Sequence, residues 1–167
     1  PGKIGRPLHT AGGTSGAEAA DAADLRITGD LTLAIWVRKT AEAPEWACVL
    51  GKGGDDGRNY GIWLEPGTKK WMYQQYGQAL DLMAGKLVEV GQWYHLAVTI
   101  EKDLVKVYTN GVLDGEKQRL GLPSPPTAAV GLGYAMNHTG FIGDLDDARI
   151  YRRALSADEI RALVDLA

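Results

Sequence analysis

Three carboxylates crowd into four positions near the end of the chain: Asp144, Asp146 and Asp147, within "IGDLDDARIYRRALSADEI". Such a group suits several kinds of chemistry. It can supply two or three of the roughly six to eight oxygens that a hard cation such as Ca²⁺ takes. It can hold a basic partner. Asp144 and Asp146 alternate, so on a strand they share a face and could form a hydrolytic pair of the kind that sits about 5.5 Å apart or wider. The plain alternative is structural: Asp146 accepts backbone N–H bonds while Asp147 pairs with Arg149 or Arg38.

A second constellation lies in the middle of the chain. In "KWMYQQYGQ", Trp71, Tyr73 and Gln75 share one strand face, and Met72, Gln74 and Tyr76 the other. Flat aromatic faces beside planar amides are what sugar rings pack and hydrogen-bond against. Met72 marks its own side as buried, which leaves Trp71, Tyr73 and Gln75 on the open face. Tyr76, near the strand end, still reaches solvent. Tyr60 belongs to the same aromatic-rich region, as do Trp46 and Trp63. The loop "YAMNHTG" adds Asn137 and His138. The alternative reading of these aromatics is a core or cross-strand pair.

Other candidates are weaker. Cys48 follows Trp46 and Ala47 in an apolar stretch, and reads as a buried, inert thiol. "GGDDGRN" has acids but lacks the alternate spacing and closing Glu of a calcium loop. His9, His95 and His138 are too far apart in sequence to suggest a zinc site.

The elements that must position these residues are mostly short strands. "LTLAIWVRK" alternates, with Leu31, Leu33, Ile35 and Val37 on one face and Thr32, Ala34, Trp36 and Arg38 on the other. "WYHLAVTI" places Tyr94, Leu96, Val98 and Ile100 together. "YGIWLE" and "KWMYQQY" are strands parted by "PGTK". Asn110-Gly111 is a strong two-residue hairpin signal, because both positions must accept positive φ. "VGLGY" and "LDDARIY" are the last strands. "AEAADAADL" has no apolar stripe and reads as an irregular or short helical connection. Ser156 and Glu159 form a capping box, followed by the stripe Ile160, Leu163 and Val164, so one helix closes the chain.

The bulk numbers bound the class. A chain of 167 residues suits one domain and buries about two-thirds of its unfolded surface. A net charge of -3 argues against a nucleic-acid partner. The apolar runs are short and interrupted, so no membrane span is expected. The start "PGKIG" reads as a processed chain or a domain excised from a larger multidomain protein.

With these segments in place, the chain resembles the laminin-G-like jelly-roll domains of the concanavalin-A-like lectin/glucanase superfamily, in their bacterial form. "GKIGRPL" looks like the opening strand. "DLRITGDLTLAIWVR" and "VLGKGGDDGRNYGIWL" are similar to the next segments. The most specific matches are "GQWYHLAVTIEKDLVKVYTNGVL" and "FIGDLDDARIYRRALSADEI". The resemblance implies an all-β jelly-roll sandwich of two antiparallel sheets with one short C-terminal helix, which the alternation supports independently. It implies core positions for Trp36 and Trp93, and a packed, hydrogen-bonded His95. It also implies that many relatives hold a structural Ca²⁺, using a closing-motif Asp and acids near the N-terminus. Asp146 and Asp147 are present here, but "TAG" (Thr10, Ala11, Gly12) and Ser15 stand where relatives often carry the N-terminal acids. An extracellular or cell-surface location follows from the same resemblance.

Fold does not give function. No strand carries the closely spaced Glu and Asp run of the superfamily's glucanases. The expected function is therefore a non-catalytic, lectin-like carbohydrate-binding module of a larger exported or surface protein, with a polysaccharide or glycan as partner. The alternative is a protein-interaction, spacer or adhesion domain, and a glycanase comes third.

Overall fold

The computed structural model describes residues 1–54, 57–75, 80–123, 125–135 and 140–167. Among these residues, twelve strands and one α-helix carry the fold. They are β1 (Leu8–Ala11), β2 (Ala17–Ala19), β3 (Leu31–Lys39), β4 (Ala47–Lys52), β5 (Tyr60–Leu64) and β6 (Trp71–Gln75). Then follow β7 (Leu80–Met83), β8 (Trp93–Glu101), β9 (Leu104–Thr109), β10 (Val112–Gln118), β11 (Val130–Leu132), β12 (Ile142–Tyr151) and α1 (Ala157–Asp165). A single 3₁₀ turn spans Ala23–Leu25.

The strands form two antiparallel six-stranded sheets, a jelly-roll sandwich. One has the order β1-β12-β3-β8-β9-β10, the other β2-β11-β4-β5-β6-β7. The first strand pairs with the last, with Leu8 opposite Leu145 and Ala11 opposite Ile142.

Alternation makes the core. Leu31, Leu33, Ile35 and Val37 of β3 and Leu96, Val98 and Ile100 of β8 point between the sheets. Ile62 and Leu64 of β5 and Leu80 and Leu82 of β7 meet them from the other side. These side chains are nearly dry, and burying each stabilises the fold by about 1.5–3 kcal/mol before the entropy cost of ordering the chain.

The outer face of the first sheet is covered too. Ala34, Ala97 and Tyr108 pack under Leu155, which precedes the helix, and under Ile160 and Leu163 of α1. Ser156 starts that helix as expected: its hydroxyl accepts the Glu159 N–H while the Glu159 carboxylate accepts the Ser156 N–H. Asn110 and Gly111 both have positive φ, 53° and 76°, and join β9 to β10 through a two-residue turn.

Two elements differ from the sequence expectation. The connection after residue 16 contains strand β2, whose pattern AEA is exposed throughout and so shows no alternation. The first strand is Leu8–Ala11, which starts at the last residue of the "GKIGRPL" stretch.

Candidate functional site

The aromatic strand β6 is second from the edge of the second sheet, and its two faces are the reverse of the sequence expectation. Trp71, Tyr73 and Gln75 point into the sandwich and are almost wholly buried, as is Tyr60 on β5. Trp71, Tyr60 and the Gln75 amide nitrogen find partners inside, which offsets the cost of burying them, whereas the Tyr73 hydroxyl and Gln75 Oε1 have none among the described residues. Trp71 Nε1 donates to Thr109 Oγ1 at 2.9 Å, Tyr60 OH to the Leu25 carbonyl at 3.0 Å, and Gln75 Nε2 to the Asn59 carbonyl at 3.0 Å. Burial also raises the Tyr73 and Tyr60 phenols far above the ordinary range. These four residues are core and offer no surface to a ligand. Tyr76, Asn137 and His138, named with them from sequence, lie outside the described residues.

Met72 is on the outer face instead. It packs with Cys48, Trp63 and Ala135, and with Trp46 and Met83 at the margin. The methionine signal misled because Met fills an aromatic cluster as readily as a core. Cys48 fits the expectation of an inert thiol: burial pushes it up to about 12, with Arg58 opposing.

This outer face holds a cleft of about 390 Å³. Trp63 on β5 and Met72 on β6 form its floor. Trp46, which precedes β4 and is half-buried, walls one side. The Arg58 guanidinium lies 4.1 Å from the centre of the Trp63 ring, a cation–π stack. Gly61 makes this layering possible. A Cβ there would come within 2.4 Å of Trp63 Nε1 and 3.0 Å of Arg58 Cδ. Glu65, Gln74 and Asp81 bring polar groups to the cleft, and Gln74 Nε2 donates to Asp81 Oδ1 at 2.8 Å.

The closing carboxylates are engaged elsewhere. Asp144 is nearly buried; Arg38 donates to its Oδ2 at 2.7 and 2.9 Å, and His9 Nδ1 lies 2.9 Å from its Oδ1. Burial pushes its carboxyl up, but the His9 and Arg38 contacts outweigh that and hold it below the usual range. Asp146 Oδ2 accepts the backbone N–H groups of Lys3 and Ile4 at 2.7 and 2.8 Å, and Oδ1 accepts that of Asp147. Both Asp147 oxygens take the Arg149 Nε–H at 2.8 Å. Asp147 has φ 49°, at a register shift between Asp146 and Arg149.

This donor set does not fit a calcium ion. N–H groups and a guanidinium occupy the oxygens of Asp146 and Asp147, where a cation needs free lone pairs. Ala11 is also at the far end of β1 from the Asp146 level, four residues or about 13 Å along the strand. The Ser15 hydroxyl accepts the Ala11 N–H at 3.1 Å. Among the described residues no three His, Cys, Asp or Glu side chains group as metal ligands.

His95 and Trp36 sit on the outer face of the first sheet. Lys3 Nζ lies 4.5 Å over the Trp36 ring. Trp36 and His95 are buried as expected, though His95 Nδ1 has no hydrogen-bond partner. Trp93 is only half-buried, with the Arg38 guanidinium 4.9 Å from its ring.

Comparison with known proteins matches this architecture. A laminin-G family model, described as the concanavalin A-like lectin/glucanases superfamily, matches residues 11–161. Domain 4 of AbnA, a GH43 extracellular arabinanase from Geobacillus stearothermophilus solved in complex with arabinotriose, is 25% identical. It superposes with a TM-score of 0.77 over 98% of this chain and 78% of that one. Trypanosoma rangeli sialidase, in complex with the inhibitor DANA, is 20% identical with a TM-score of 0.73; this chain spans 98% of itself but 28% of the sialidase. A heptameric SAP-like pentraxin from Limulus polyphemus is 12% identical, with a TM-score of 0.63 over 88% of this chain and 80% of that one. No curated protein sequence matches the chain. Among the described residues no helix is long and apolar enough to cross a membrane.

Proposed function

This chain belongs to the concanavalin A-like lectin/glucanase superfamily, in its laminin-G form, and from that premise we propose that it is a carbohydrate-binding domain of a larger extracellular protein. One observation carries the proposal: the outer face of the second sheet presents Trp46 beside a Trp63–Arg58 stack, with the Gln74–Asp81 pair within the same cleft. An aromatic wall packs against the apolar face of a sugar ring, and planar polar groups fix its hydroxyls. The complex of the AbnA domain with arabinotriose supports the reading.

We read the domain as binding rather than catalytic. Glu65 and Asp81 stand on or next to different strands, β5 and β7, with Gln74 of β6 between them and already bonded to Asp81. Asp144 and Asp146, the pair named from sequence, are each held by N–H donors of other residues.

The test is a glycan array followed by calorimetry on the hits. Trp46→Ala is expected to remove binding while leaving the melting temperature close to that of the parent. Binding that survives Trp46→Ala moves the site elsewhere, and an array with no hits overturns the proposal. The runner-up, a protein-interaction domain, draws on the edge strand β10, where Val112 and Leu113 are exposed, and on Leu120, 88% exposed just beyond it.

A further inference from the structure

We infer that the cleft selects uncharged glycans over acidic ones, an inference that rests on the carbohydrate-binding reading above. The reason is the polarity of the groups that reach solvent. Gln74 and Glu65 are half-buried and Asp81 is exposed, whereas Arg58 is 2% exposed, with its guanidinium 4.1 Å from the centre of the Trp63 ring. The cation therefore lies low in the cleft, against the Trp63 floor, and the carboxylates are its rim.

The hydrogen bonds sharpen this. A carboxylate only accepts, so the Gln74 amide must turn its Nε2 toward Asp81, and its Oε1 is left to accept. Asp81 Oδ2 is a further acceptor. Glu65 Oε2 already takes the Thr68 hydroxyl, which fixes that carboxylate across the β5–β6 turn and leaves Oε1 as an acceptor. A ligand that fits this rim must donate. Sugar hydroxyls donate, one to each of these open oxygens. A uronate, sialate or sulfate brings oxygens that only accept, and brings a like charge.

The experiment is an array of neutral and acidic glycans, with matched pairs in which the carboxylate is masked, such as trigalacturonate against its methyl ester and sialyllactose against its methyl ester. Hits are titrated with the parent protein, Trp46→Ala, and the double variant Glu65→Gln with Asp81→Asn. Expected is binding of neutral members at least about tenfold tighter than their acidic partners at low salt, with the gap narrowing as salt rises. The double variant is expected to close that gap without loss of the Trp46 dependence. Acidic glycans that bind as tightly as neutral ones, in a way that Trp46→Ala abolishes, would overturn the selectivity and leave the sugar site standing. An array on which neither class binds removes the carbohydrate reading, and this inference with it.

Discussion

The rings of Trp36 and His95 meet edge-on, with centroids 5.2 Å apart and planes at 64°, on directly paired positions of β3 and β8. His95 is thereby sealed in. Burial disfavours its charged form and outweighs the pull of Asp147, so its pKa is lowered to about 4. An unfolded chain titrates the same imidazole near 6.5. Above that pH both states are neutral. As pH falls from about 6.5 toward 4, the unfolded state binds the proton first, so stability is lost, by about 3 kcal/mol at most. Urea unfolding between pH 7 and 4 is expected to show this slope, and His95→Gln to flatten it. A variant with the parent's slope would refute the assignment.

Asp146 ties the two ends of the chain together through Lys3 and Ile4. Asp146→Ala strands those N–H groups and is expected to cost about 1–3 kcal/mol, lowering Tm by roughly 2–12 °C. Residues 1–7 should also become accessible to protease. Because the carboxylate is filled by N–H donors, Tm is expected to be the same in excess Ca²⁺ and in EDTA. An upward shift with Ca²⁺ that Asp146→Ala removes would contradict this.

Trp71 and Trp46 are expected to behave as opposites. Trp71 is fully buried, so Trp71→Ala should cost about 3–5 kcal/mol and destabilise the fold itself. Trp46 is half-exposed on the cleft, so Trp46→Ala should change affinity and little else. Thermal melts paired with glycan titrations read both quantities, and a stable Trp71→Ala protein that has merely lost binding would reverse the two roles.

Cys48, buried with its pKa raised to about 12, is expected to be silent toward a thiol reagent at neutral pH. Denaturant should release one reactive thiol per chain. Rapid labelling of the folded protein would show that the cluster around Trp63 opens readily.

Ser156 is expected to contribute about 1 kcal/mol through its cap, so Ser156→Ala should lower Tm by about 2–4 °C. Ser156→Asp keeps an acceptor at the same place and is expected to restore most of that. Equal melting of both variants would mean that packing of Ile160 and Leu163 alone holds the helix.

The architecture was legible where the local signal and the tertiary demand agree. Leu31 to Val37 alternate because one face is core, and Asn110-Gly111 turn because both accept positive φ. The site was harder to read because the outer face of the second sheet is also apolar. Period two tells that Trp71 and Met72 oppose each other, but not which of them faces inward. Only the neighbours decide that: Thr109 stands ready to accept the Trp71 N–H inside, while Trp63 and Cys48 receive Met72 outside. Gly61 was a usable sign. A glycine at an outward position of a central strand marks a place where something lies close over the sheet, here Trp63 and Arg58. β2 gave no signal, since it is three exposed residues added to a sheet edge.

The pairing of β1 with β12, and the seating of α1 on that same sheet, has a practical outcome. Lys3 and the closing helix both lie on the outer face of the first sheet, whereas the cleft opens from the outer face of the second. A tether joined at either terminus therefore departs from the side away from the cleft proposed to hold a glycan. The domain can be held at the end of a leash, or fixed to a sensor chip through a terminal tag, with that cleft turned outward.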